Sequence, residues 1–323
     1  MTMQIHVHVG VHKTATTFMQ QRLHRSHGRL TRNNIGYMPL APFRAAFTNR
    51  LAHIDPAEVD IQQYARHCFH NGREREIQRL VLSDESLGGY LGRLVNGRAP
   101  YVDAAERLGL LRACLPDDAE ITLFCSVRAY ASFFPSAYSE LMRYRKRYVP
   151  FGNFMNRAEA AQLSWPSTIQ GFIDGLRPHR TLIWRYEDFR NQADQILREL
   201  AFGVELPEKE ARPGERPSLS HMAIEVLDLV AAHKGRDVAD RLIETVAQSL
   251  PKSEGFEQFD PWTPSQRIEL EQRYAEDCAA IDAALWFTPD GEDQARTADV
   301  ESRRLSTPRA AGPRLLRPVP PAV

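Results

Sequence analysis

The sequence is short of the features that would place it in several broad classes. Only four of its 323 residues are cysteine (Cys68, Cys114, Cys125 and Cys278). They lie far apart and form no CxxC pair, which favours reduced structural thiols in a cytoplasmic protein over a disulfide frame or a zinc site. No run of about 18 apolar residues occurs, so no transmembrane helix is predicted. The opening Met1–Val7 lacks a basic stretch followed by an apolar one, so no secretory signal is read there. Net charge is absent too. Lys plus Arg and Asp plus Glu both number 41, which argues against a chain-wide attraction to nucleic acid or an anionic membrane. Lysine is scarce: five of those 41 cations are lysine and 36 are arginine. A chain that so consistently uses arginine marks its few lysines, Lys13 first, as places where the two are not equivalent. What remains is ordinary globular usage, 43% hydrophobic and 25% charged, enough for a sizeable core.

Hydrophobic patterning predicts strands alternating with helices. Gln4–Gly10 alternates polar and apolar residues and reads as a strand ending at Gly10, and 79–83, 120–127 and 180–186 read as buried strands. Helical spacing covers 16–27, then roughly 102–115, 132–147, 165–176 and 191–202. This order predicts an α/β fold, a three-layer parallel sheet with helices on both faces. From about 219 to 286 the chain reads as wholly helical, with Pro261-Trp262-Thr263-Pro264 as the start signal of its last helix. The domain is expected to span 1–289. Residues 290–323, rich in Pro, Arg, Ala and Gly, are expected to form a disordered tail, because they cannot bury enough apolar area to offset their ordering entropy. No internal repeat and no signal for an oligomeric state is visible.

The strongest motif is Val9-Gly10-Val11-His12-Lys13-Thr14-Ala15-Thr16-Thr17-Phe18, set between a strand and a helix. A chain turning out of a strand into a helix N-terminus aims several N–H groups at one spot, and the helix dipole favours an anion there. Lys13 adds a full charge, and Thr14, Thr16 and Thr17 add hydroxyls. The segment is a cradle for phosphate or sulfate. It is not a Walker A loop, because no Gly-Lys pair occurs and the lysine stands three residues after the glycine.

His12-Lys13-Thr14-Ala15-Thr16-Thr17 resembles the HKTGTT form of the 5′-phosphosulfate loop in bacterial sulfotransferases that use 3′-phosphoadenosine 5′-phosphosulfate (PAPS). Ala15 departs from the usual glycine, and its methyl group calls for an ordinary helical backbone at that point. Further along, Arg128 closes a strand and Ser136 follows eight residues later on the next helix. An arginine and a serine so placed can grip one phosphate from two sides, and the resemblance assigns them the 3′-phosphate. Ser132 and Ser139 share the helix face as alternatives. Trp184-Arg185-Tyr186-Glu187-Asp188-Phe189 is similar to the family's YEDL segment. The resemblance implies that Tyr186 lies near the adenine and that Glu187 and Asp188 serve structure at a helix start. Phe18 stands where an aromatic packs on adenine in the family, or else it is core.

The resemblance implies a P-loop NTPase-like fold, PAPS as co-substrate, no metal, and sulfuryl transfer to a hydroxyl or amine of a small-molecule or glycan acceptor. Lys13 is then the group that neutralises charge on the oxygen between sulfur and the 5′-phosphate. For the base that takes the acceptor's proton, Glu85, in the Ser83-Asp84-Glu85-Ser86 strand end, is the first expectation, and partial burial is expected to raise its basicity. His53 and His12 are the rivals. The basic run Arg143–Arg147 either faces an anionic acceptor or is a solvated helix end. Two other functions fit the same residues: an ATP-dependent kinase with a divergent phosphate loop, and a non-catalytic binder of the nucleotide.

Overall fold

The computed structural model describes residues 2–54, 56, 59, 77–207, 219–253 and 255–288. The tail expected over 290–323 and Cys68 lie outside the described residues. Five strands form one parallel sheet: β1 (Gln4–His8), β2 (Ile35–Tyr37), β3 (Arg79–Ser83), β4 (Glu120–Val127) and β5 (Arg180–Arg185), in the order β2-β3-β1-β4-β5. Among the described residues, the helices are α1 (Thr16–Arg25), α2 (His27–Arg32), α3 (Leu40–Phe43), α4 (Ala104–Ala113), α5 (Tyr130–Arg145), α6 (Phe151–Ala160), α7 (Trp165–Leu176), α8 (Phe189–Leu200), α9 (His221–Lys234), α10 (Arg236–Ser249) and α11 (Pro264–Ala280). The three-layer α/β expectation holds, and no described helix is long and apolar enough to cross a membrane.

Alternation along the strands divides the core between the two sheet faces. Ile5, Val7, Leu80, Leu82, Leu123, Cys125 and Ile183 face a large cluster completed by α4, α5 and α7. Val81, Phe124, Leu182 and Trp184 face a smaller one with Met19, Leu23, Ile196 and Leu200. The two histidines of β1 point to the smaller cluster. His6 stacks on Phe202 and His8 on Trp184, as sheet-facing histidines. Burial lowers the pKa of each to about 4, so both are neutral at pH 7.

After β1 the chain turns toward β3 and β2, whereas after β4 it turns the other way, to β5. The tips of the adjacent strands β1 and β4 therefore flank a topological switch point, where a parallel sheet leaves a crevice.

Three expectations are corrected. The expected order of elements lacks β2, which at three residues is too short to show alternation, and α6, although Phe151, Phe154, Met155 and Ala158 form a buried i, i+3, i+4, i+7 stripe along it. The region from 219 to 286 is not wholly helical: between α10 and α11 the chain forms an irregular hook. Pro251 and Pro261 bar continuation, and Gly255 sits at φ 98°, outside any right-handed helix. The hook is pinned back by antiparallel bridges, Leu219 to Pro251 and Ser220 to Gln258. The last helix ends at Ala280, and a short 3-10 turn spans Ala283–Leu285.

Candidate anion-binding active site

A cleft of about 590 Å³ opens at the switch point. Its floor is the loop after β1. Lys13 and Ala15 both adopt left-handed backbone, with φ of 69° and 64°. Alternating handedness of this kind turns successive N–H groups to one side and forms an anion-binding concavity. The ordinary helical backbone expected at Ala15 is thereby overturned, and the residue carries a cost of about 1–2 kcal/mol that glycine would not. α1 starts directly behind it with no side chain capping its first turn, so its dipole and free N–H groups face the cleft.

The threonines divide their labour. The Thr14 hydroxyl donates to the Val11 carbonyl at 2.6 Å and accepts from Ser126 at 2.7 Å. It braces the loop and has no proton left to offer a ligand through that oxygen. Thr16 lines the cleft, and its buried Oγ1 has no hydrogen-bond partner among the described residues. Gly10 makes room for it: a Cβ there would lie 2.5 Å from Thr16 Oγ1. Thr17 lines the cleft from an exposed position. His12 is anchored to Tyr101, whose hydroxyl accepts from the His12 backbone N–H at 2.8 Å and pairs with its Nδ1 at 2.9 Å. Burial lowers the His12 pKa to about 4, which leaves a neutral and weakly basic ring.

Arg128, from the tip of β4, forms the next wall. The residue is only 7% exposed, yet no carboxylate lies within ion-pair distance of it among the described residues. Its guanidinium donates to Ser132 Oγ at 2.9 Å, to Ser136 Oγ at 3.5 Å and to the carbonyl of Lys13. It also lies over the Tyr186 ring, 4.3 Å from its centre. Burial lowers its pKa from the usual arginine value. The nearby charge of Glu187 offsets only part of the burial, no carboxylate pairs directly with the guanidinium among the described residues, and a ligand that supplies an anion lowers the remaining cost.

α5 lines the cleft with Ser132, Pro135, Ser136, Ser139 and Glu140. Pro135, inside the helix, has no N–H for the Ala131 carbonyl. The hook makes good the loss, since Trp262 Nε1 donates to that carbonyl at 2.7 Å. Leu219, Lys252, Gln258 and Phe259 face α5 as the far wall, and Lys252 donates to Gln258 Oε1 at 2.7 Å. Two of the five lysines thus share one cleft.

Three carboxylates also line it. Glu85 follows β3; its two oxygens accept from Arg44 at 2.9 Å and from Gln20 at 3.3 Å. Arg44 is carried on a π-helical turn (Arg44–Thr48) and simultaneously forks onto the fully buried Asp84. Glu187 accepts from the Ala129 N–H and the Tyr274 hydroxyl, a structural tie. Glu140, which the motifs did not mark, pairs with Lys13 Nζ at 3.2 Å.

The structure therefore gathers His12, Lys13, Thr14, Ala15, Thr16, Thr17, Glu85, Arg128, Ser136 and Tyr186 around one cleft. Two candidates lie elsewhere. Phe18 packs edge-on against Phe189 beside the smaller core cluster, and His53 is exposed on a 3-10 turn away from the cleft. The basic run at the end of α5 also points away: Arg143 pairs with Glu244, Arg145 donates to Gly92, and Tyr144 is solvent-facing.

No protein-family model and no curated protein matches the chain. Among solved structures, a sulfotransferase from Alicyclobacillus acidocaldarius is similar, with 15% identity and a TM-score of 0.33 over 74% of this chain and 95% of that one. A likeness of that size bears no functional argument.

Proposed function

We propose that the protein is a PAPS-dependent sulfotransferase, with the nucleotide held in the cleft between β1 and β4. One observation carries the reading: a buried arginine with no carboxylate in ion-pair distance among the described residues and a helix N-terminus without a side-chain cap converge on a cleft that also holds a lysine. Such a site fits a ligand with two anionic ends. The loop of residues 12–17 is the place for the 5′-phosphosulfate, with Lys13, the backbone N–H groups and Thr16 as donors. Arg128, Ser132 and Ser136 are the place for the 3′-phosphate, and Tyr186 offers a face for the base.

When bound, the nucleotide supplies an activated sulfuryl group. The protein's part is to position it and to stabilise charge as the bond between sulfur and the 5′-phosphate oxygen breaks. Lys13 is the residue for that oxygen. The acceptor's proton has two carboxylates within the cleft to go to, Glu85 and Glu140. Lys252, Gln258 and Phe259 form the wall left over for an acceptor, a small molecule or a glycan.

Calorimetry tests this with adenosine 3′,5′-bisphosphate in the absence of magnesium. Saturable binding that Arg128→Met abolishes is the expected result. A folded protein that binds only ATP with magnesium is instead a kinase, and one that binds neither nucleotide removes the reading.

A further inference from the structure

We propose that Glu140 is the counter-ion that Lys13 exchanges for a bound anion, and that the carboxylate so released receives the acceptor's proton. The inference deepens the sulfuryl-transfer reading and rests on it.

The three carboxylates of the cleft differ in how they are held. Glu85 and Glu187 each have both oxygens engaged by neighbours that belong to the folded frame: Arg44 and Gln20 for one, Ala129 and Tyr274 for the other. Glu140 has one hydrogen-bond or ion-pair partner among the described residues, and that partner is Lys13. Both side chains are partly open to solvent, 42% for Glu140 and 26% for Lys13. An ion pair of that exposure is weak and readily exchanged.

Position on α5 strengthens the case. Glu140 stands four residues beyond Ser136, on the same helix face, and both line the cleft. The helix that offers Ser136 to one end of a ligand therefore holds a carboxylate beside the lysine at the other end. A multiply charged anion arriving on the loop outcompetes one carboxylate for Lys13. The freed Glu140 then stands next to the reacting group, with two oxygens unoccupied.

The step balances without a further reagent. The acceptor O–H proton passes to a Glu140 oxygen as the acceptor oxygen bonds to sulfur. The bond from sulfur to the 5′-phosphate oxygen breaks, and its electron pair stays on that oxygen, where Lys13 neutralises it. Glu85, held by Arg44, is left to shape the cleft.

The test compares wild type with Glu140→Gln, Glu140→Asp and Glu85→Gln in two measurements at pH 7. The first is the calorimetric Kd for adenosine 3′,5′-bisphosphate. The second is cleavage of PAPS with water as acceptor, which needs no knowledge of the natural one. Glu140→Gln removes a competitor for Lys13, so its bisphosphate affinity rises about two- to fivefold. Its cleavage rate falls at least about 100-fold, as expected when a proton acceptor is removed. Glu140→Asp recovers part of the rate, and Glu85→Gln loses far less of it. Tighter binding joined to slower chemistry is a split that a merely structural role would not produce. Unchanged or weaker binding in Glu140→Gln, cleavage as fast as wild type, or a wild type that binds PAPS without cleaving it each overturns the proposal. A wild type that binds no bisphosphate defeats the sulfotransferase reading itself, so the two failures are distinguishable.

Discussion

The two walls of the cleft are built on opposite principles. The β1–β4 wall is made of backbone and buried charge: a loop with two left-handed residues, an uncapped helix start, and Arg128 closed in beneath Tyr186. The hook wall is made of side chains on irregular backbone, held by a few long-range bonds from Leu219, Ser220 and Trp262. In the proposed function the first wall holds the nucleotide, an anion of fixed shape. The second is then the wall left for the acceptor, and its residues can change without disturbing the sheet.

The comparison can be broken most decisively at Lys13. Lys13→Ala is expected to reduce turnover about 100- to 1,000-fold, a transition-state loss of about 3–4 kcal/mol. Lys252→Ala, the matching change in the hook, should leave bisphosphate affinity nearly unaltered. Equal losses from the two lysines in calorimetry and donor cleavage would erase the distinction between the walls.

Acid gives the next largest effect. His6 and His8 on β1 and His12 in the loop stay neutral in the folded protein until about pH 4, chiefly because burial penalises the charged ring. An unfolded histidine takes its proton near pH 6.5. Between those values the unfolded chain binds more protons, so stability falls as pH falls, by several kcal/mol across the three. Urea unfolding at pH 7, 6 and 5 checks this. A midpoint constant from pH 7 to 5 would mean that the three rings are not buried as described.

Smaller changes sharpen the contrast. Trp262→Phe strands the Ala131 carbonyl opposite Pro135 and should cost about 1–3 kcal/mol in chemical denaturation. Ala15→Gly relieves the left-handed backbone and should raise stability by up to about 1 kcal/mol, less whatever the freer unfolded chain recovers. A loss of stability at Ala15→Gly would contradict the positive φ.

What could be read from the sequence divides along the same line. The loop, four strands and the helices behind them announce themselves through contiguous residues: a β-branched run, then a glycine, then threonines and a lysine. Arg128 and Ser136 were legible for the same reason, a strand end followed by a helix. The hook reads as helix in the sequence because its neighbours are helical, and its real organiser, pairing of Leu219 and Ser220 with residues 251 and 258, leaves no periodic trace. Glu140 was invisible because a glutamate on a helix surface looks like any solvated charge until Lys13 is placed beside it. Ala15 misled because a methyl group normally signals right-handed backbone. Here Arg128, donating to the Lys13 carbonyl, helps hold the loop in its unusual form.

That last bond has a consequence for recognition. In the proposed function, the guanidinium assigned to the 3′-phosphate also donates to the carbonyl of Lys13, in the loop proposed for the 5′-phosphosulfate, so one side chain links the two ends. Whatever filling one end does to the affinity of the other, linkage makes the effect equal in both directions. In that reading a bond of the folded frame fixes the distance between the two ends, and the cleft selects ligands by the span between their charged groups.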